Sequence, residues 1–146
     1  MIDTVLVVCE GNICRSPMAA ALLSKRLPNI NVFSAGTRAL VGRSADALAI
    51  QLMTRERLDI STHVAKFVTL ERVREANLVL TMTKEQRIFV ETNYPFSKGR
   101  VYRLGEQNGY DVVDPYRSGV DAFEASLRQI QIGVATWTNT IIRLNN

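Results

Sequence analysis

Residues 4–17 read T-V-L-V-V-C-E-G-N-I-C-R-S-P, and the first strand and helix of the fold can be predicted from them. Its first part, Thr4 to Val8, is continuously apolar and rich in β-branched residues. Such a run is typical of a central parallel strand that is buried on both faces. Ser16-Pro17 predicts a helix N-cap followed by proline at the first helical position. A buried strand, a loop and a capped helix in this order predict the first unit of an α/β protein.

The rest of the chain continues the alternation of strands and helices. Thr83 with Gln86 three positions later predicts a capping box. The predicted elements are a helix ending near Leu27, strands at Ile30–Ser34, Leu78–Met82 and Val101–Leu104, and helices at 45–57, after Thr69 and at 84–92. The pattern predicts a three-layer α/β sandwich with a central four-stranded parallel sheet. Ligands in such folds bind beyond the carboxyl ends of the strands, where the loop after Val8 lies.

The last helix has the clearest periodicity in the chain, and Ser118 with Asp121 predicts a cap at its start. Its apolar stripe comprises Val120, Phe123, Leu127, Ile130, Val134, Trp137, Ile141 and Leu144. A coiled-coil seam for a partner and a helix packed across a sheet would both give this stripe. We favour packing within the chain, and hence a monomer, because the stripe is only about three heptads long and the sheet needs cover.

Length and composition indicate one globular domain spanning residues 1–146. The chain is 47% hydrophobic and 22% charged, which is near the average for globular proteins and argues against disorder. The longest apolar run near the start, Val5 to Cys9, is too short to insert in a membrane, and no basic segment precedes it as in a signal peptide. We therefore expect a cytoplasmic protein.

The distribution of charge and the small number of metal-binding residues argue against a nucleic-acid-binding protein and against a metalloprotein. The net charge is +4, but the basic residues are scattered without a run of five, so no nucleic-acid partner is expected. Cys9, Cys14 and His63 are the only cysteines and the only histidine. Because structural zinc needs four ligands and catalytic zinc usually three, we expect no metal and no other cofactor.

The loop from Cys9 to Arg15 carries the chemistry. Its backbone N–H groups can converge on one anion, and the following helix contributes the positive end of its dipole. Gly11 and Asn12 are residues that tolerate a positive φ, and the Arg15 guanidinium matches two phosphate oxygens. The same positive environment would favour Cys9 as a thiolate nucleophile. The loop predicts a phosphatase, the alternative being a structural cysteine before an ordinary capped helix.

Residues 8–17, V-C-E-G-N-I-C-R-S-P, resemble the signature loop of the low-molecular-weight protein tyrosine phosphatases. Asp114-Pro115-Tyr116 is similar to the general-acid motif of that family. Ser34-Ala35-Gly36-Thr37 and His63-Val64-Ala65 also match family segments, in the same order along the chain. The resemblance covers nearly the whole chain and implies a flavodoxin-like fold with the phosphate loop after the first strand.

The resemblance implies a role for each matching residue. Cys9 would attack phosphorus and form a phosphocysteine, and Ser16 would hydrogen-bond its sulfur. Asp114 would protonate the leaving phenol and then activate water. Arg15 would bind the phosphoryl oxygens and stabilise them in the transition state. The loop residues expected to surround the phosphate are Glu10, Gly11, Asn12, Ile13, Cys14 and Arg15.

The resemblance also implies residues that support or protect the loop and take no direct part in the reaction. In the family, hydrogen bonds resembling an Asn12–Ser34–His63 network hold Asn12 in its strained conformation. Cys14 would either form a reversible disulfide with Cys9 or simply fill a small buried position.

Specificity is inferred from the walls of the expected pocket, formed by Ile13, Leu40 and Tyr116. Protein-arginine phosphatases of the superfamily carry threonine at the position of Ile13, so phosphotyrosine is favoured and phosphoarginine is the alternative. The segments around Leu40 and Asp114 look like the bacterial subgroup that is paired with tyrosine autokinases of capsule or exopolysaccharide export. Such a kinase is the expected partner.

Glu10 departs from the family pattern, in which the residue after the nucleophile is apolar or neutral. A carboxylate close to the phosphate would oppose both the thiolate and the anion. If its side chain points away from the pocket, this cost is small. A non-catalytic phosphotyrosine-binding module therefore remains an alternative, either through Glu10 or through a displaced Asp114.

Overall fold

The computed structural model describes all 146 residues as a parallel sheet between two layers of helices. The strands are β1 (Thr4–Cys9), β2 (Asn31–Gly36), β3 (Leu78–Thr81) and β4 (Val101–Arg103). The helices are α1 (Arg15–Arg26), α2 (Ala47–Arg55), α3 (Leu70–Glu75), α4 (Lys84–Asn93) and α5 (Val120–Asn145), with short 3-10 turns at Pro95–Ser97 and Glu106–Asn108. The sheet order is β2-β1-β3-β4 with every pair parallel, which confirms the predicted fold class.

The residues of β1 alternate between two hydrophobic cores, as the period of a strand requires. Val5 and Val7 belong to the larger core, which includes buried residues of α1, α2 and α5. Leu6 and Val8 belong to the smaller core, which includes Val73 of α3 and Val90 of α4. Both faces of β1 are therefore buried, as its continuous apolar sequence predicted.

The register of the sheet brings the end of β1 beside the end of β2. Cys9, the last residue of β1, pairs with Gly36, the last residue of β2. A β-carbon on Gly36 would overlap the Glu10 carbonyl oxygen, so only glycine lets the two backbones approach this closely. The loop after β1 thus begins at the carboxyl edge of the sheet, next to the end of its neighbour.

The helix ends show which predicted caps form. The capping box of Thr83 and Gln86 is present at the start of α4, and the Thr69 side chain accepts a hydrogen bond from the Arg72 amide at the start of α3. The prediction that Ser16 caps α1 is wrong, because Cys14 occupies the N-cap position and makes no side-chain cap bond. The Ser16 hydroxyl instead contacts side chains of the loop.

The predicted cap of α5 is also wrong. Gly119 is its N-cap residue, with φ +87°, and no side chain caps the helix. Ser118 Oγ donates instead to the Tyr116 carbonyl oxygen, at 3.2 Å.

Helix α5 packs against the sheet side that carries α1 and α2, as its stripe predicted. Six of the eight stripe residues are buried: Phe123, Leu127, Ile130, Val134, Trp137 and Ile141. The two end positions, Val120 and Leu144, are exposed. None of the helices combines the length and the apolar character that crossing a membrane requires.

Candidate active site

The loop between β1 and α1 contains a strained backbone position. Asn12 has φ +59°, a left-handed conformation that side chains other than glycine and asparagine rarely adopt. Gly11 does not have a positive φ, although the sequence offered it as a candidate for one. The turn that aims the loop amides therefore depends on Asn12.

The buried side chain of Asn12 stabilises this turn through three hydrogen bonds. Its Nδ2 donates to Ser16 Oγ at 2.8 Å and to Ser34 Oγ at 3.0 Å. Its Oδ1 accepts from the Lys66 amide at 2.9 Å. Every polar atom of the side chain is thus paired, and the loop is connected to β2 and to the segment after His63.

His63 supports the same turn through a hydrogen bond to its backbone. Its Nε2 lies 2.7 Å from the backbone oxygen of Asn12. A carbonyl oxygen can only accept, so Nε2 carries the proton and donates. Burial lowers the pKa of His63, an effect that nearby Lys66 reinforces and the hydrogen bond to Asn12 opposes. The structure therefore brings Asn12, Ser34 and His63 together, although His63 bonds the backbone of Asn12 and not Ser34.

Cys9 lies at the base of the loop, buried to 2% exposure. Its Sγ is 2.9 Å from Ser16 Oγ and accepts from the Asn12 amide at 3.3 Å. Because Ser16 Oγ already accepts from Asn12 Nδ2, its proton can point to the sulfur, and both this hydroxyl and the Asn12 amide would then stabilise negative charge there. The hydroxyl of Ser16 is thus committed to Cys9 and Asn12, which explains why it does not cap α1.

Arg15 and Asp114 are far apart in the sequence, but their side chains lie close together at the mouth of the loop. Arg15 Nη1 donates to the Val112 carbonyl oxygen at 3.0 Å, and Nη2 lies 3.6 Å from Asp114 Oδ2. The Arg15 side chain is 5% exposed, whereas that of Asp114 is 44% exposed. Asp114 Oδ1 also accepts from the Tyr116 amide at 3.1 Å, which fixes the carboxylate at its turn.

A cavity of about 230 Å³ opens above Cys9. It is lined by Cys9, Glu10, Gly11, Ile13, Cys14, Arg15, Arg38, Leu40, Asp114 and Tyr116. The three residues expected to form the substrate walls, Ile13, Leu40 and Tyr116, are all among them. Asn12 and Ser16 do not line the cavity. Ser16 Oγ contacts the cysteine sulfur, and the Asn12 side chain bonds Ser16, Ser34 and the Lys66 amide.

The two cysteines are free thiols in different surroundings. Burial raises the pKa of the Cys14 thiol strongly, and the nearby Asp46, Cys9 and Asp114 raise it further. Cys14 therefore stays protonated, and it cannot serve as a thiolate at neutral pH.

Three contributors to the site were not predicted from the sequence. Arg38 lines the cavity, the Val112 carbonyl orients Arg15, and the Lys66 amide bonds Asn12. Two of these act through the backbone, so their residue types carry no information about the contact. Arg38 follows Ser34-Ala35-Gly36-Thr37, and its place after a matched segment was the only available indication.

A buried cysteine at the carboxyl end of a parallel strand, inside a loop closed by arginine and faced by an aspartate, is the arrangement of a cysteine-dependent phosphatase site. Residues 4–145 match the sequence model of the low molecular weight phosphotyrosine protein phosphatases, and the chain belongs to that family. It is thus a protein-tyrosine phosphatase by family.

Individual relatives agree with this assignment. The chain is 47% identical to the probable low molecular weight protein-tyrosine-phosphatase EpsP of Ralstonia nicotianae, over 97% of each chain. Its structure is similar to that of Vibrio vulnificus Wzb in complex with benzylphosphonate, with a TM-score of 0.92, 32% identity, and 96% and 99% of the two chains covered. The arginine phosphatase YwlE of Geobacillus stearothermophilus is also similar, with a TM-score of 0.89, 28% identity, and 96% and 93% covered.

Proposed function

We propose that this chain hydrolyses phosphotyrosine in proteins through a phosphocysteine intermediate on Cys9. The observation that carries the proposal is the pairing of Cys9 Sγ with Ser16 Oγ and the Asn12 amide at the base of a cavity that Arg15 and Asp114 also line. A nucleophile, an anion-binding loop and a proton donor are the groups that this reaction needs.

In the first step, the Cys9 thiolate forms a bond to phosphorus while the bond from phosphorus to the phenol oxygen breaks. Asp114 gives its proton to that oxygen, and tyrosine leaves neutral. Arg15 and the loop amides bind the three phosphoryl oxygens during this transfer. For this, the guanidinium turns from Asp114 toward the phosphate, which offers a shorter, bidentate partner than the 3.6 Å contact.

In the second step, water attacks the phosphocysteine. Asp114, now a carboxylate, accepts a proton from the water, and the sulfur leaves as a thiolate. The Ser16 hydroxyl and the Asn12 amide stabilise that leaving thiolate. Inorganic phosphate is released, and the enzyme returns to its starting protonation state.

The cavity walls support phosphotyrosine over phosphoarginine. The wall residue Ile13 is buried in the loop, and Leu40 and Tyr116 also line the cavity. Apolar and aromatic walls favour a flat phenol ring, whereas a guanidinium needs polar partners along its length. The likeness to YwlE keeps phosphoarginine as the second candidate, and the experiment below separates the two.

We further propose a tyrosine autokinase of capsule or exopolysaccharide export as the protein substrate. The resemblance of the Leu40 and Asp114 segments to the phosphatases that are paired with such kinases supports this partner. A cytoplasmic location fits the same proposal, because a reducing compartment keeps the Cys9 thiol available. The burial of the α5 stripe supports a monomer, which a concentration-independent mass in solution would test.

The direct experiment measures phosphate release from a phosphotyrosine peptide and a phosphoarginine peptide, by wild type and by Cys9→Ser. Turnover of the phosphotyrosine peptide by wild type alone is the expected result. Preferred turnover of the phosphoarginine peptide would establish the second candidate. Retention of either peptide without phosphate release by wild type would establish a binding module and overturn the enzymatic proposal.

A further inference from the structure

A second depression, of about 500 Å³, lies directly beside the catalytic cavity. The two share four lining residues: Glu10, Arg15, Arg38 and Asp114. Beyond this shared boundary, the depression extends to helix α4. We call it the α4 groove. A phosphotyrosine seated on the loop would have the adjoining residues of its own polypeptide at the entrance of this groove.

One face of α4 forms the far wall of the groove. Glu85, Ile88, Phe89 and Thr92 line it at spacings of three, one and three, so they lie on one side of the helix. Ile88 is 50% exposed although its neighbour Val90 is fully buried. The groove therefore presents an apolar side chain that is half exposed to solvent.

Two charged side chains at the boundary of the groove have no partner within the chain. Arg38 and Glu10 are exposed, and neither side chain makes an ion pair or a hydrogen bond within the chain. Their backbones are adjacent, because the Arg38 amide donates to the Glu10 carbonyl oxygen at 2.9 Å. Other arginines around the sheet edge are paired, such as Arg103 with Glu106 and Asp111. The unpaired Arg38 is thus available to a substrate.

We propose that the α4 groove binds the polypeptide that flanks the phosphotyrosine, with Ile88 contacting an apolar side chain and Arg38 pairing an acidic one. The proposal rests on the phosphotyrosine phosphatase function proposed above. It makes Ile88 and Arg38 specificity-determining residues that do not touch the reacting atoms. It also gives Glu10 a role at the groove boundary, where its carboxylate would disfavour acidic side chains on its own side.

The first test compares wild type, Ile88→Ala and Ile132→Ala on two substrates. Ile132 of α5 is the matched control, because it is 52% exposed and helical and does not line the groove. The substrates are p-nitrophenyl phosphate, which is too small to reach α4, and a phosphotyrosine decapeptide with leucine on both sides. We expect Ile88→Ala to raise KM for the decapeptide about three- to tenfold with kcat unchanged, since lost apolar contact weakens ground and transition states alike.

Ile132→Ala should match wild type on both substrates, and Ile88→Ala should match it on p-nitrophenyl phosphate. An unchanged KM of Ile88→Ala for the decapeptide would overturn the groove proposal. So would an equal loss on p-nitrophenyl phosphate, because the effect would then arise at the catalytic cavity. If wild type turns over neither substrate, the proposed function fails and the groove proposal falls with it.

The second test addresses Arg38 with peptides that carry glutamate or lysine next to the phosphotyrosine. Arg38→Gln should lower kcat/KM for a glutamate peptide about two- to fivefold, and should leave or improve that for the lysine peptide. Each peptide is made with the glutamate or lysine before and after the phosphotyrosine, so both positions are tested. An identical change on glutamate and lysine peptides at both positions would overturn the role of Arg38.

Discussion

The phosphate loop and helix α5 are stabilised in opposite ways. Along α5, apolar side chains repeat on one face and fill a core. In the loop, the polar side chain of Asn12 is fully buried, and hydrogen bonds to residues 4 to 54 positions away hold it at φ +59°. The helix therefore contributes stability through contacts that any apolar residue of similar size provides. The loop holds a few atoms in a fixed arrangement for chemistry, and it tolerates strain to do so.

This contrast predicts that substitutions in the loop change activity and that substitutions in the helix change stability. Cys9→Ser should produce the largest effect, a fall in turnover of about 10⁴-fold or more, because the proposed nucleophile is lost. The free energy of unfolding should change by less than about 1 kcal/mol, since serine is close in size to cysteine. Steady-state kinetics and urea unfolding measure the two quantities.

A phosphotyrosine peptide should still bind to Cys9→Ser, because Arg15 and the loop amides are unchanged. Turnover by Cys9→Ser at a rate near that of wild type would contradict the nucleophile assignment. A large loss of stability would instead contradict the separation between loop and helix.

Asp114→Asn should give the next largest effect, because the amide can neither donate the proton to the leaving oxygen nor activate water. We expect a fall in kcat of about 10²–10⁴-fold on a phosphotyrosine peptide. The fall should be smaller on p-nitrophenyl phosphate, whose leaving group departs more readily as an anion. An equal fall on both substrates would show that Asp114 acts in some way other than as the acid of the first step.

Ile130→Ala tests the other side of the comparison. Ile130 is fully buried on the inner face of α5, and truncating such a side chain costs about 2–5 kcal/mol. Turnover per folded molecule should stay near that of wild type, because no loop atom loses a partner. Ile132→Ala on the exposed face is the control and should shift stability by less than about 0.5 kcal/mol. A selective loss of kcat in Ile130→Ala would show that the helix positions the site.

The same contrast explains what could be predicted from the sequence. The stripe of α5, the buried strand β1 and the capping box at Thr83 are local patterns, and each forms as predicted. The caps predicted at Ser16 and Ser118 do not form, because partners that the local pattern does not show compete for each hydroxyl. A hydroxyl can bond several partners, and the one that Ser16 finds is the Cys9 sulfur, brought near by the fold.

The site could be predicted only in part, because some of its residues are contiguous in the sequence and others are not. The loop residues from Cys9 to Arg15 are contiguous, so a motif displays them together. Asp114 and His63 reach the loop only through tertiary structure, and the resemblance to the family supplied them. The Val112 carbonyl and the Lys66 amide had no side-chain signature at all. Backbone donors and acceptors at long sequence separation are therefore the part of the site that residue types do not reveal.

The smallest predicted effect concerns His63, whose proton links the stability of the fold to the hydrogen bond that supports the loop. Burial holds the pKa of His63 below its ordinary value of 6.5, whereas the unfolded chain restores that value. As pH falls below about 6.5, the unfolded state takes up a proton before the folded state does. The stabilisation from neutral His63 is thus complete above about pH 6.5 and is lost as pH falls through the pKa of the folded protein.

The measurement compares urea midpoints of wild type and His63→Gln between about pH 5 and pH 8. Glutamine can still donate to the Asn12 carbonyl oxygen but does not titrate, so the difference between the two proteins isolates the proton. That difference should move against wild type as the pH is lowered. His63 is the only histidine in the chain, so no other imidazole confuses the comparison. Parallel pH profiles would mean that folding leaves the His63 proton affinity unchanged, and the buried link between His63 and the loop would then not be part of the stable fold.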